Sequence, residues 1–294
     1  MEIALTKTDL AEIFLLTHGP GSLNLEPRDS ICGFRGIHFL EENSFVLGFE
    51  KRDWLIRKGC AFLTERGRLH RYSHLPGVPP DTVLSVRFST PLLENMREEL
   101  PAVRFAELES FLGMRNDLRF LRWRFDRLPQ QCREFAADEW VIDLVTATYL
   151  NPPQAASRNF PDAQLAWYAE RIEAAREQLV KRFAEQHRLR ALARSVGVST
   201  FQFARLFREL VGFAPHQYLL TVRYRAALQM LMEGASVTDA CFQSGFSNLS
   251  HFTREFRRRF GHRASSVRTW PLQLRRQRFR RIPLPEVRLK KSQT

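Results

Sequence analysis

Basic and aromatic side chains are concentrated between residues 245 and 261, in the stretch GFSNLSHFTREFRRRFG. It holds four phenylalanines and four arginines, and its one acid is Glu255. Arginine donates hydrogen bonds to phosphates and to base edges, whereas phenylalanine is mostly found inside protein cores. The spacing predicts one helix with a buried aromatic face and a basic outer face.

An earlier stretch of the chain repeats this pattern. At an offset of 48, Ala193, Gly197 and Ser199 match Cys241, Gly245 and Ser247. At an offset of 49, Phe203, Arg205, Phe207 and Gly212 match Phe252, Arg254, Phe256 and Gly261. Each copy has a short helix, a glycine that permits a turn, and a serine that can cap a second helix. In the first copy, Ser199 and Gln202 have the spacing of a capping box. The repeat predicts two helix-turn-helix units.

Helical spacing separates the core residues of the two units from their surface residues. The predicted core residues are Phe203, Leu206, Phe207 and Leu210 in the first copy, and Phe246, Phe252, Phe256 and Phe260 in the second. The predicted outward residues are Thr200, Phe201, Ala204, Arg205 and Arg208, then Asn248, Ser250, His251, Arg254, Arg257 and Arg258. A helix fits the major groove of DNA, so two units joined by a connector helix from about Pro215 to Met232 could enter successive grooves.

The positive charge of the chain lies at its C-terminal end. Residues 188–294 hold 21 Lys and Arg against 5 Asp and Glu, a net charge of +16, whereas residues 1–187 hold 24 against 27, a net charge of −3. A domain that binds a polyanion gains affinity by releasing counterions from phosphates, which favours nucleic acid as its partner. The alternative is a basic surface that only keeps the protein soluble.

Periodicity divides the 294 residues into an α+β module and an all-α module. From about Ile13 to Phe88, short alternating runs between turn residues predict an antiparallel β-sheet or barrel, and helical spacing follows Pro91. We therefore predict an N-terminal domain over 1–150, a proline-containing linker over 151–163, a DNA-binding domain over 164–268 and a basic tail over 269–294. We consider two roles for the basic tail: it makes additional contacts with DNA phosphates, or it is a solvated chain end without a partner.

A small barrel can enclose one small molecule. His70, Tyr72 and His74 occupy every second position of one predicted strand and so share a face, and Arg87 lies on the next strand. We predict that His70, Tyr72 and Arg87 line an effector pocket. The alternative is that these residues have a structural role. His70 and His74 are four residues apart and no carboxylate follows at that range, so neither a metal site nor a cofactor is predicted. No catalytic residues are predicted either.

Other features of the sequence argue against a membrane protein and against a secreted protein. No apolar run approaches the roughly 18 residues of a membrane span, and the N-terminus lacks the basic start of a secretory signal. Cys32, Cys60, Cys132 and Cys241 form no C-x-x-C pair, which favours buried thiols in a reducing compartment. We expect a cytoplasmic protein without membrane partners.

Residues 164–268 resemble the DNA-binding domain of AraC/XylS-type bacterial transcription regulators. The resemblance rests on LARSVGVSTFQFARLFREL, GFAPHQY, Arg223 followed by Ala227, and ACFQSGFSNLSHFTREFRRRFG. It implies double-stranded promoter DNA as partner and base-reading positions at Thr200, Phe201, Gln202, Arg205, Asn248, Leu249, Ser250, His251 and Arg254, beside the outward Arg208 and Arg258. Arg205 and Arg254 could instead anchor phosphates or form salt bridges, His251 could cap or pack, and Leu249 could contact a thymine methyl group or join the core.

The same resemblance implies a cupin-like barrel in the N-terminal domain, a small-molecule effector, RNA polymerase as a partner, and a homodimer. The stripe Trp140, Val141, Leu144, Val145 and Thr148 is the predicted dimer interface, with core packing as the alternative. The predicted function is that of a sequence-specific transcription regulator rather than an enzyme. The alternatives are a non-specific or architectural DNA-binding protein, or a DNA-repair enzyme with the same DNA-binding fold.

Overall fold

Short alternating stretches form the strands of the N-terminal half, and stretches with helical spacing form helices around and after them. The computed structural model describes residues 1–19, 25–49, 52–99, 110–129, 133–150 and 159–270. The chain divides into two units, Met1–Ala166 and Trp167–Thr294. Most of the predicted linker, nearly all of the basic tail, and Cys132 lie outside the described residues.

The strands of the first unit form two antiparallel sheets. A six-stranded sheet has the order β1-β2-β9-β4-β7-β10, and a four-stranded sheet has the order β3-β8-β5-β6. The strands are β1 (Glu2–Lys7), β2 (Ala11–Thr17), β3 (Arg28–Ile31), β4 (Gly36–Glu42), β5 (Ser44–Phe49), β6 (Arg52–Arg57), β7 (Ala61–Thr64), β8 (Leu69–His74), β9 (Thr82–Phe88) and β10 (Phe111–Gly113). The prediction of a β-rich segment that ends at Phe88 is confirmed, although β1 was not predicted.

The two faces of β9 pack against different partners because side chains alternate along a strand. Leu84 and Val86 belong to a core that the six-stranded sheet shares with the helices α2 (Asn116–Phe125) and α3 (Arg133–Val145). Val83 belongs to a second core between the two sheets, which includes Leu47 and Phe49 of β5. Residues on the face of Val83 therefore point toward the space between the sheets.

The helices of the first unit differ from the prediction at one place. Helical spacing extended from Phe105 to Leu128, but Phe111–Gly113 forms β10 beside β7, and α2 begins only at Asn116. Gly113 has a φ of 67°, which suits a turn and not a helix. Among the described residues, α1 (Thr90–Glu99) precedes α2, and α3 continues as a π-helical turn over Thr146–Leu150.

The stripe predicted as a dimer interface is buried inside its own chain. The exposed fraction of Trp140, Val141 and Leu144 is 0%, and these side chains pack in the core under the six-stranded sheet with Val145. Thr148 is also buried and donates to the carbonyl of Leu144. The prediction of a dimer surface here was wrong, because the α3 face that carries the stripe is fully used to cover the sheet.

The second unit is helical over its described residues, which end at Trp270. Its helices are α4 (Asp162–Lys181), in which the division between the units falls, α5 (Leu189–Ser195), α6 (Thr200–Val211), α7 (Pro215–Met232), α8 (Val237–Gln243) and α9 (Leu249–Phe260). A 3-10 turn follows at Ala264–Thr269. Within the described residues, no helix has the length and apolar character needed to cross a bilayer.

Candidate nucleic-acid interface

The first copy of the repeat is the helix pair α5 and α6. Gly197, with a φ of 71°, lies in the turn between them, and the N–H of Val198 donates to the carbonyl of Ala193 at 3.1 Å. Ser199 caps α6, since its Oγ accepts from the N–H of Gln202 at 3.2 Å. The Gln202 side chain donates to the Tyr168 hydroxyl at 3.4 Å, so the reciprocal bond of the predicted capping box is absent among the described contacts.

Two opposite faces of α6 have the burial expected from the spacing. The predicted core residues Phe203, Leu206, Phe207 and Leu210 are all buried. The first turn and the basic side lie on the surface: Thr200, Phe201, Arg205 and Arg208 are exposed. Phe201 is the most exposed of the large apolar side chains in the described chain, at 82%. An exposed aromatic ring beside arginines is the combination found on surfaces that bind nucleic acids.

The second copy is the helix pair α8 and α9, and its cap is not the predicted one. The turn residue Gly245 has a φ of 86°. Ser247 was predicted to cap α9, but Asn248 does so: its Oδ1 accepts from the N–H of His251 at 2.8 Å. Asn248 aligns with Ser199 at the offset of 49, so the extra residue between the copies lies just before the cap.

The aromatic face of α9 is buried and its basic face is not. Phe252, Phe256 and Phe260 pack with Tyr224 of α7 in one core, and Phe246 is half-buried beside them. Leu249 is half-buried and packs against the same core, which supports the core alternative for this residue. The exposed residues of α9 and its cap are Asn248, Ser250, His251, Arg254, Arg257 and Arg258.

The predicted DNA-contacting arginines are of two kinds. Arg205, Arg208 and Arg254 have no hydrogen bond or ion pair with any part of the chain that the structure describes. Arg258 pairs with Glu255, one turn away on α9, at 2.8 Å. The hydrogen bond from Arg258 holds the pKa of Glu255 below its usual value. The first three guanidinium groups are therefore available to an external anion without breaking a contact within the described chain.

The connector helix α7 contacts both helix pairs. Near its start, Tyr218 lies edge-on to Phe207 of α6 with ring centroids 5.6 Å apart. Further along, Tyr224 stacks on Phe252 of α9 with centroids 5.7 Å apart and an interplanar angle of 10°. Burial raises the pKa of Tyr224 to about 12. Because aromatic side chains of one helix pack into both pairs, the two pairs share a rigid support.

The turn after α4 fixes this support to the second pair. Arg223 of α7 donates from Nε to the carbonyl of Phe183 and from Nη2 to the carbonyl of Glu185, both at 2.7 Å. Gly245 lies against Ala184, such that an added Cβ would be 2.6 Å from the Ala184 carbonyl oxygen. Both contacts involve main-chain atoms of the turn at residues 183–185. An arginine at 223 donates to two carbonyls of this turn, and a glycine at 245 lets the turn approach closely because it has no Cβ.

The residues predicted for an effector pocket face the space between the two sheets. His70 and Tyr72 share one face of β8, with ring centroids 6.4 Å apart, and Tyr72 packs against the core between the sheets. Burial lowers the pKa of His70. Arg87 is on the inward face of β9, but its guanidinium stacks on Phe34 at 4.4 Å and pairs with Glu12 at 3.2 Å.

Two polar clusters of the first unit were missed from the sequence. His38 is buried, with its Nδ1 3.0 Å from Ser85 Oγ and its Nε2 2.8 Å from Thr64 Oγ1. Burial, with smaller effects of His70 and Arg87, lowers the pKa of His38 to about 3. His74 contacts Asp81, which also contacts His18. Burial acts to raise the pKa of Asp81, but the hydrogen bonds from the two imidazoles outweigh it and lower the pKa. Such contacts join different strands, so only the strand pairing could have revealed them.

Comparisons with known proteins agree with the helix pairs. A family described as "Helix-turn-helix domain" matches residues 192–269. The transcriptional activator RhaS of Escherichia coli O127:H6 is 31% identical over 291 residues, which cover 89% of this chain and 97% of RhaS. The virulence regulon activator VirF of Yersinia enterocolitica is 33% identical over 98 residues, 31% of this chain and 36% of VirF, so the match spans about a third of that relative.

Among solved structures, the DNA-binding domain of AdpA in complex with a target DNA is similar to this chain. It is 32% identical, covers 35% of this chain and 89% of its own, and has a TM-score of 0.30. The RhaS match, in contrast, extends over both units. The match to RhaS over nearly its full length, together with the helix-turn-helix match, establishes that the chain belongs to the AraC/XylS family of bacterial transcription regulators.

Proposed function

We propose that the protein is a sequence-specific regulator of transcription that binds promoter DNA through α6 and α9. The observation that carries this proposal is the matched pair of outer helix faces. Arg205 and Arg254 stand at equivalent positions of the repeat, both are exposed, and neither has a partner among the described residues. A protein that only needed solubility would have no reason to repeat an unpaired arginine on two capped helices.

Each of these helices suits the major groove of B-DNA. The groove is about 12 Å wide and admits one α-helix, and the N-terminal half of such a helix reaches the base edges. On α6 this half carries Thr200, Phe201 and Arg205, and on α9 it carries Ser250, His251 and Arg254. Two helices on one support would enter adjacent groove segments, about 34 Å or one helical turn apart.

The exposed side chains divide by chemistry. Arginine binds guanine O6 and N7 with two hydrogen bonds, and an apolar side chain contacts the methyl group of thymine. We assign Arg205 and Arg254 to base edges, with phosphate anchoring as the alternative, and Phe201 to a thymine methyl group. Arg208 and Arg258 are assigned to phosphates, since they lie farther from the helix N-termini and Arg258 already pairs with Glu255. Asn248 positions the first turn of α9 through its cap.

The first unit is proposed to be a cupin-like barrel that senses a small molecule. The two sheets share a core whose inner face carries His70, Tyr72 and Arg87, and the Nε atom of Arg87 is buried without a hydrogen-bond partner in the described chain. Buried polar atoms are normally paired, so a polar ligand would supply what is lacking. RhaS is named a transcriptional activator, and we propose that this protein also activates transcription. Membership of the family supports three further proposals: a cytoplasmic location, RNA polymerase as a partner, and a homodimer formed through a surface other than the buried α3 stripe.

Competition between DNA sequences tests the proposal. The purified full chain would be used to select binding sites from random duplexes, and the selected duplex would then compete with random DNA at one fixed salt concentration. We expect the selected duplex to bind at least about a thousand times more tightly, the usual ratio for specific proteins. Equal affinity for both would assign the protein to the non-specific or architectural class instead.

A further inference from the structure

Two histidines and one aspartate, side chains of the types that can bind a metal ion, lie close together near the ends of strands from both sheets of the first unit. His18 directly follows β2, His74 is the last residue of β8, and Asp81 directly precedes β9. Asp81 Oδ2 lies 3.0 Å from His18 Nδ1, and Asp81 Oδ1 lies 2.9 Å from His74 Nε2. The ligand atoms of all three residues lie within 4.8 Å of one another.

This cluster is buried on one side and open on the other. The side chains of His74 and Asp81 are 2% and 1% exposed, whereas that of His18 is 25% exposed. Among the described residues, the two imidazoles are the hydrogen-bond partners of the Asp81 carboxylate. A buried carboxylate needs its charge compensated, and a bound cation would do so directly.

We propose that His18, His74 and Asp81 bind a divalent transition-metal ion of the zinc type. Imidazole nitrogen and carboxylate oxygen are the ligands that such ions take in proteins, and a set of two histidines with one carboxylate is a known donor set. Three protein ligands leave a fourth position of a tetrahedral ion for water or an exogenous ligand. The exposed edge at His18 gives that position access to solvent.

The observed distances fit this ion. Two ligand atoms bound to one tetrahedral zinc ion, each about 2.1 Å from it, lie about 3.4 Å apart. The two Asp81 contacts, at 3.0 and 2.9 Å, are close to this separation. The remaining separations are at most 4.8 Å, so binding would draw those atoms together by no more than about 1.4 Å.

The main chain holds the three ligands in place before any ion arrives. Thr17 and Thr82 are paired residues of β2 and β9, and the N–H of His18 donates to the carbonyl of Asp81 at 3.2 Å. Asn43 donates to the carbonyl of Pro80 at 2.7 Å, which fixes the residue before Asp81. His18 and Asp81 flank strands of the six-stranded sheet, and His74 belongs to the four-stranded sheet. A bound ion would therefore tie the two sheets together and stabilise the first unit.

Metal titration of the full chain tests this site. After chelator treatment and dialysis, the protein would be titrated with Zn²⁺ by calorimetry and with Co²⁺ by visible absorption, and its thermal midpoint would be followed. We expect about one ion per chain, a cobalt spectrum of nitrogen and oxygen ligands, and a midpoint that rises with the zinc concentration because the ion binds the folded state. The absence of both the cobalt spectrum and the thermal shift would overturn the proposal.

Variants separate this cluster from other histidines. His18→Ala and Asp81→Asn should each weaken zinc binding by at least about tenfold, since each removes one of three ligands. His216→Gln, which changes an exposed histidine of α7 outside the cluster, is the control and should bind as the unsubstituted chain does. Zinc affinity that is equal in all four proteins would overturn the assignment, and the cobalt spectrum of the unsubstituted chain decides the matter if a variant does not fold.

Discussion

Asn248 accepts a hydrogen bond from the backbone N–H of His251 at 2.8 Å, as Ser199 does from Gln202 at 3.2 Å at the equivalent position of the first copy. These two residues cap α6 and α9, the helices that we propose to bind DNA. Because the last residue before each helix fixes the direction of its first turn, the caps determine where the exposed residues of that turn point. The two copies thus use different residue types for one task.

Removal of the second cap should destabilise α9. Asn248→Ala leaves the N–H of His251 without its partner, which costs about 1 kcal/mol, whereas Asn248→Ser provides the group that caps α6 and should cost much less. Thermal unfolding of both variants measures the difference. If the alanine and serine variants unfold at the same temperature, the cap contributes nothing to stability.

The two kinds of arginine should behave differently on DNA. Arg254→Ala should weaken binding to the selected site by about 1–3 kcal/mol and relax the preference at one base pair, as expected for a residue that reads a base. Arg258→Ala is the matched comparison on the same helix, and it should weaken all sequences alike and reduce the salt dependence. A uniform loss for Arg254→Ala, with a smaller salt slope, would assign that residue to a phosphate.

The two turn glycines differ in the space around them. Both have positive φ, but an added Cβ at Gly197 meets nothing within 4 Å, whereas one at Gly245 would lie 2.6 Å from the Ala184 carbonyl oxygen. Gly197→Ala should cost about 1–2 kcal/mol from its backbone conformation. Gly245→Ala should cost about 1–3 kcal/mol more, because the main chain at Ala184 must move. Denaturant unfolding compares the two, and equal losses would contradict the contact with Ala184.

The buried His38 should make the first unit sensitive to acid. Its pKa falls from 6.5 to about 3 in the folded protein, mainly through burial, so folding favours the neutral imidazole. The resulting stability is fully present above pH 6.5 and is lost as the pH falls toward 3. At pH 5 this loss amounts to about 2 kcal/mol.

Unfolding at pH 7.5 and pH 5 measures this effect. His38→Gln keeps groups that can bond to Ser85 and Thr64 but does not titrate, so its stability should change less between the two pH values. The same loss in both proteins would show that other groups account for the acid sensitivity.

Sequence patterns predicted the local features of the second unit better than the contacts of the first. The faces of α6 and α9 follow from helical spacing, which depends only on neighbouring residues, and Phe203 and Phe252 are buried as predicted. The cap at Asn248 was missed because serine at 247 fitted the repeat equally well. The cluster of His18, His74 and Asp81 depends on which strands pair, and a single sequence carries no signal for that pairing.

Chemical protection of one selected duplex shows whether a single chain binds two adjacent major-groove segments. The full chain should protect guanine N7 atoms in two major-groove segments on one face of the DNA, about 10 base pairs apart. Arg205→Ala should remove protection in one segment and Arg254→Ala in the other. A single protected segment, or the loss of both segments in each variant at concentrations where the DNA is still bound, would contradict the binding of adjacent grooves by one chain.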